Sequence, residues 1–413
     1  MLKYKPSFNT TKRTCFYTYL ATSTIFSLPP LLFVTFREMY GISYTLLGTL
    51  VLINFCVQLV VDLIFTFFSK RFNIKNTIKI MPLITSLGLL VYAIIPFAFP
   101  SYAYLGLAIG TVIFSIAAGL CEVLLSPLVA ALPSDNPERD MSKLHSLYAY
   151  GVLTVVVIST LFLNVFGREN WMYLTLFWAV LPIGSYVFFS ISPIPELNLT
   201  SNSVKTKTRA SYTGLAMFVI CIFLGSASEN LMTNWISGYM ENALQIPKVA
   251  GDIVGMATFA VLLGAGRTVY AKYGKNISKI LLLSFVGATV CYLVVGVTTS
   301  PVLSIVFCVA VGLCTAMLWP GSLIYMEEQF PAIGVTAYAL MAAGGDLGGS
   351  VAPQMMGAIV DTVSQSDFAI KLSNTISLTP EQIGMKTGML IATVFPLFGV
   401  VTVLYMRKRL KKR

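Results

Sequence analysis

One histidine, 17 acidic residues and 11% charged residues in a chain of 413 leave little from which to build an enzyme site. His145 has no neighbouring nucleophile or carboxylate arranged as a nucleophile–base pair, and no His, Cys, Asp or Glu set carries metal-ligand spacing. Enzymatic chemistry is therefore not expected, nor any cofactor or metal. The seven cysteines, at 15, 56, 121, 221, 291, 308 and 314, contain no CxxC and lie within or beside apolar runs, so they read as buried apolar residues. The net charge of +11 does not indicate nucleic acid, because the basic residues fall in short segments between apolar runs.

What is present is apolar surface: 56% of residues are hydrophobic, against about 45 to 50% in soluble domains. The apolar runs are about 20 residues or longer and recur along nearly the whole chain, as helices crossing a lipid core require. Twelve runs can be placed, the fourth over 104–132 and the seventh over 212–240. The expected fold is an all-α integral membrane protein with twelve transmembrane helices in two pseudo-symmetric six-helix bundles. With both termini cytoplasmic, only Arg37, Arg168, Lys248, Lys371 and Lys386 of the 28 Lys and Arg fall outside, which fixes the orientation by the positive-inside rule. A multi-pass protein of the cell membrane, monomeric and surrounded by bilayer, is the expectation. The basic N-terminus MLKYKPSFNTTKR is followed by no small-residue cleavage site, so no removed signal peptide is expected.

The polar stretch ISPIPELNLTSNSVKTKTRA divides the chain into an N-terminal bundle (1–195), a cytoplasmic linker (196–211) and a C-terminal bundle with a basic tail (212–413). A repeat supports this division: SKRFNIK after the second run has a counterpart, about 200 residues later, in YAKYGKN after the eighth. Two parallel six-helix repeats predict a transporter that alternates access about a central site.

The candidate site residues are the polar ones that the apolar runs enclose. Glu122 is a lone carboxylate in a long apolar helix, a costly placement that marks a functional site. It shares one helix face with Ser115, Gly119 and Ser126 at spacings of four, three and four, and Pro127 disturbs the helix a turn beyond. The seventh run, FLGSASENLMTNWISGYMEN, repeats that spacing in Ser226, Asn230, Thr233 and Ser237, with Glu229, Asn234 and Trp235 beside them. Amides and a carboxylate suit paired hydroxyls and an indole suits the apolar face of a sugar ring; the same groups also hold helices together. Trp319, followed by Pro320, Gly321 and Ser322, is placed where a helix opens easily. Ser126 and Trp319 join Asn230, Asn234 and Trp235 as the expected substrate residues. Asp346 lies among four glycines in AAGGDLGGSVAP, and Asp62 and Arg267 stand near cytoplasmic helix ends; all three are expected in gating or charge pairs.

The two basic turns resemble degenerate copies of the loop motif of the major facilitator superfamily, with Lys70 and Asn73 where the motif has an acid and a glycine. Within that superfamily the chain is similar to the fucose permease group, through GLCEVLLSPLVAALP, Gly266-Arg267, the Trp319-Pro320 region and APQMMG. The resemblance implies proton-coupled symport of a monosaccharide or other small polar solute, with the glutamate at Glu122 taking part in coupling. The group's first-span aspartate has no match, Pro30 standing about where it falls, and Glu229 is the candidate second coupling acid. A proton-driven exporter of amphipathic compounds is the alternative that the same acid would serve.

Overall fold

The computed structural model describes residues 7–68, 71–135, 137–197, 209–330 and 335–410. Lys70 and most of the linker 196–211 lie outside these residues. Every regular element among the described residues is helical, and ten helices are individually long and apolar enough to cross a membrane. An eleventh span is broken: α1 (Phe8–Leu31) stops where Pro29 and Pro30 remove two backbone donors, and α2 (Phe33–Tyr40) resumes after Leu32. The twelfth is α14 (Val335–Ser364), long enough to span but diluted by glycines, Asp346 and Gln354.

Packing groups the chain into two units. The first contains residues 1–32 and 57–200: α1, the second half of α3 (Tyr44–Phe68), α4 (Ile74–Ala98), α5 (Ala103–Ala131), α6 (Pro137–Phe166) and α7 (Trp171–Ile191). Its core joins Val61, Phe65, Met81, Leu124, Leu128 and Phe189, and glycines let α4 and α5 meet closely, Gly88 against the Phe114 backbone and Gly110 against Tyr92.

The second unit contains residues 33–56 and 201–413. It runs α8 (Arg209–Gly238), α9 (Lys248–Ala250), α10 (Thr258–Tyr273), α11 (Ile277–Val297), α12 (Pro301–Thr315), α13 (Leu318–Gln329), α14, α15 (Asp367–Ser373), α16 (Pro380–Ala392) and α17 (Val394–Leu410). Two π-helical turns, Tyr239–Ala243 and Gly251–Ala257, flank α9. α12 and α13 run together as one candidate span (Pro301–Gln329), as do α16 and α17 (Pro380–Leu410).

Residues 33–56, which the sequence assigns to the N-terminal bundle, pack within this second unit for visible reasons. Gly48 lies on the backbone of Pro353 and Gln354, Gly357 lies on the carbonyl of Tyr44, and the carboxylate of Asp361 accepts from the backbone amides of Tyr44 and Thr45 at the start of α3. Each basic turn leads into a helix that an asparagine caps. Asn73 caps α4 by accepting from the Asn76 amide, and Asn276, in the left-handed region at φ 54°, caps α11 by accepting from the Lys279 amide.

The glycine-rich stretch around Asp346 is a close helix contact. Gly344 meets Val219, Gly345 meets the Trp319 ring, and a Cβ built on Gly348 would lie 2.1 Å from the carbonyl oxygen of Phe223 in α8. Backbone cannot yield as a side chain would. Gly348→Ala should cost about 2 to 3 kcal/mol, at the upper end of overpacking effects. It should lower the unfolding temperature of the detergent-solubilised protein by several degrees, and an unchanged transition would refute the contact.

Candidate functional site

In the first unit α5 presents its polar face in two parts. Ser115 and Gly119 are buried, and a Cβ on Gly119 would meet Val61 at 2.9 Å and the Gln58 backbone at 3.2 Å, so α5 lies directly on α3 there. One turn on, Glu122 is exposed and Ser126 half-buried, so the acid opens off the packed interior. Asp62, one residue after Val61, is only 9% exposed, on the stretch of α3 against which Gly119 packs. Among the described residues Asp62 Oδ1 has no hydrogen-bond partner, and no Lys or Arg pairs with either acid. Two carboxylates that the sequence reading kept apart thus flank the contact of α3 with α5. Beside them, Thr22 and Cys121 join α1 to α5, and a cavity of about 10 Å³, room for one water, reaches the buried hydroxyl of Ser185.

Two of the unit's lysines are engaged elsewhere. Lys12 donates to both Asp140 and the Pro133 carbonyl, and Lys75 pairs with Glu196 at 3.7 Å. At this end, outside the spans, hydrogen bonds from Lys12 and Ser134 hold the Asp140 carboxyl below its ordinary range, so it stays ionised at neutral pH.

In the second unit Glu229 is paired. Arg267 Nη2 on α10 donates to both its oxygens, at 3.1 and 3.4 Å, and Nε donates to the carbonyl of Ala316 at 3.1 Å, where α12 gives way to α13. One guanidinium therefore joins α8, α10 and the short turn between α12 and α13. Next to the pair, Glu229, Asn230 and Thr233 keep partial exposure along α8. The Asn230 amide donates to Ser226 at its carbonyl and hydroxyl, both 3.1 Å, and the Asn234 amide donates to the Asn230 carbonyl at 2.8 Å. Trp319 is half-buried, its ring against Gly345. Trp235 is 1% exposed, donating to the Pro353 carbonyl at 3.0 Å with Phe33 and Tyr44 on its ring. Here it is a packing residue. Asp346 is buried at 3% exposure within α14.

Two polar constellations escaped the sequence reading. Arg37 lies 4.1 Å over the Tyr44 ring and pairs with Glu381, whose other oxygen accepts from the Tyr44 hydroxyl; Asn242 donates to that hydroxyl at 2.8 Å. Lys248 and Asp252 form a buried ion pair at 3.0 Å, with the Ser237 hydroxyl donating to Asp252. The i, i+4 spacing of Lys248 and Asp252 was a readable signal; residues 37 and 381 offered none.

The apolar multi-span architecture, with acids and amides enclosed in helices, defines a membrane-embedded transporter of small molecules, not an enzyme. The model of the Major Facilitator Superfamily matches residues 14–353, and the chain belongs to that superfamily. A search among curated proteins finds no sequence relative. Solved structures share the fold. The nucleoside transporter NupG is 14% identical with a TM-score of 0.67, covering 97% of this chain and 99% of its own. The xylose transporter XylE from E. coli, partially occluded and inward open, is 12% identical with a TM-score of 0.67, covering 94% and 96%. The E. coli fucose:proton symporter FucP is 12% identical with a TM-score of 0.57, covering 95% and 99%.

Proposed function

We infer that the chain is a secondary transporter that moves a small neutral hydroxylated solute, a monosaccharide or a nucleoside, by proton symport with alternating access. The observation that carries this reading is a separation of charge. The α8 face that would recognise substrate holds one carboxylate already neutralised by Arg267, beside the amides of Asn230 and Asn234. A net-neutral, hydrogen-bonding surface favours an uncharged polar solute. Glu122, in contrast, has no cationic partner among the described residues and is placed to take up and release a proton. Glu229 would respond to the cycle through Arg267, with Asn230, Asn234, Trp319 and Ser126 on the substrate. The sequence resemblance to the fucose permease group, and solved neighbours described as nucleoside, xylose and fucose transporters, support the solute class.

Thermal unfolding of the purified protein with a panel of D-xylose, L-fucose, uridine and tetraphenylphosphonium tests the reading. A ligand at about 100 times its Kd adds about 2.7 kcal/mol to stability, a shift of several degrees. Stabilisation by a sugar or nucleoside is expected. Stabilisation by the lipophilic cation alone would replace the symporter with an exporter of amphipathic compounds.

A further inference from the structure

We propose that Cys291 of α11 and Cys314 of α12 are a redox-active pair of thiols, which a lipid hydroperoxide converts to a disulfide tying the two helices together. α11 and α12 are antiparallel neighbours, joined by residues 298–300. Gly287 lies one turn before Cys291 on the same face of α11. A Cβ built on Gly287 would lie 2.7 Å from Cys314 Sγ, so the missing side chain is what leaves that sulfur its place. A helical side chain leans back towards the N-terminus, which carries Cys291 over Gly287 and onto the same spot. The two thiols meet there, with the Cys291 S–H donating to the Cys314 sulfur.

Exposure sets which sulfur reacts first. Cys314 is half-buried and follows Leu313, which with Val302 and Val306 makes an exposed apolar side of α12, whereas Cys291 is 4% exposed. Cys15, Cys221 and Cys308 are fully enclosed, so the pair is also set apart from the other thiols of the chain. An oxidant dissolved in the acyl chains therefore meets Cys314. Its sulfur attacks the terminal oxygen of the hydroperoxide, the O–O bond breaks, the alkoxide leaves as the alcohol with the thiol proton, and Cys314 becomes a sulfenic acid. The Cys291 sulfur then attacks the Cys314 sulfur; the S–S bond forms, the S–O bond breaks, and hydroxide leaves as water with the Cys291 proton. Two electrons pass from the thiols to the hydroperoxide, giving one disulfide, one alcohol and one water. Two residues beyond Cys314 the Ala316 carbonyl holds Arg267, so the new bond would stiffen the turn that carries the Glu229–Arg267 pair.

The test is covalent and needs no substrate, so it stands or falls separately from the transport reading. The reduced full chain in lipid nanodiscs is treated with cumene hydroperoxide, unfolded in detergent with N-ethylmaleimide to cap the remaining thiols, and mapped as non-reduced peptides by mass spectrometry. One linked pair joining Cys291 to Cys314 is expected, released by dithiothreitol. The oxidised wild type should also unfold several degrees above the reduced one, because the crosslink restrains the unfolded chain. Cys291→Ala should lose the link and the shift, and its Cys314, stopped at the sulfenic acid, should be trapped by dimedone. Cys314→Ala should show no link, no shift and no adduct on Cys291. An oxidised wild type in which both cysteines are capped by N-ethylmaleimide, or in which any other pair is linked instead, would overturn the proposal.

Discussion

Glu122→Gln should abolish accumulation of solute against its gradient while leaving exchange intact. Glutamine has the shape of a protonated glutamate and cannot release the proton, so the variant remains in the loaded form whichever side it faces. Solute on one side can still be traded for solute on the other, because that exchange needs no net proton movement. With one proton per solute, a pH difference of one unit supports about tenfold accumulation, since about 1.4 kcal/mol is a factor of ten. In proteoliposomes holding the solute that the stability panel identifies, the wild type should approach that ratio and the variant should fall to 1. Counterflow should continue at a rate comparable to wild type. Accumulation retained by the variant would remove Glu122 from coupling.

The second large effect is expected at Glu229 and Arg267. Arg267→Met removes the bidentate partner and leaves a carboxylate of 15% side-chain exposure without a cation. Breaking a fully buried pair costs about 3 to 5 kcal/mol; because the guanidinium is 35% exposed, solvent screening reduces this to about 2 kcal/mol. Glu229→Gln strands the cation instead and should cost less, since Arg267 keeps its bond to the Ala316 carbonyl and some access to water. Joining the two substitutions should recover most of the loss, and that non-additivity in thermal unfolding is the measurement. Losses that simply add would mean the two groups do not interact.

How far these features were legible follows from the kind of signal each leaves. Helix spans are written as contiguous apolar runs, and Glu122, Glu229 and Arg267 each stood out as charge within one. Pairing is different, because the Glu229–Arg267 contact crosses from α8 to α10 and depends on the turn between them. Asp62 read as a residue near a loop because its distance from SKRFNIK was countable, whereas the closeness of α3 and α5 at Gly119 was not. Trp235 has the residue type of a sugar-stacking group, but its indole is spent on the Pro353 carbonyl. The four glycines around Asp346 fitted either an opened backbone or a close approach; Phe223 and Val219 against them decide for approach. The grouping of residues 33–56 with the second unit had no sequence mark, since it rests on backbone contacts such as Asp361 with Tyr44 and Thr45.

The buried pair of Lys248 and Asp252 alters how the charges of the chain should be counted. Of the five basic residues expected on the outer side, Lys248 is tied to Asp252, Arg37 to Glu381, and Lys386 is buried with its ammonium on the Thr298 carbonyl. Those three are internal fasteners, contributing little to the field that lipids meet. The charge asymmetry that the sequence predicts is therefore sharper than the bare count of five against 23 suggests.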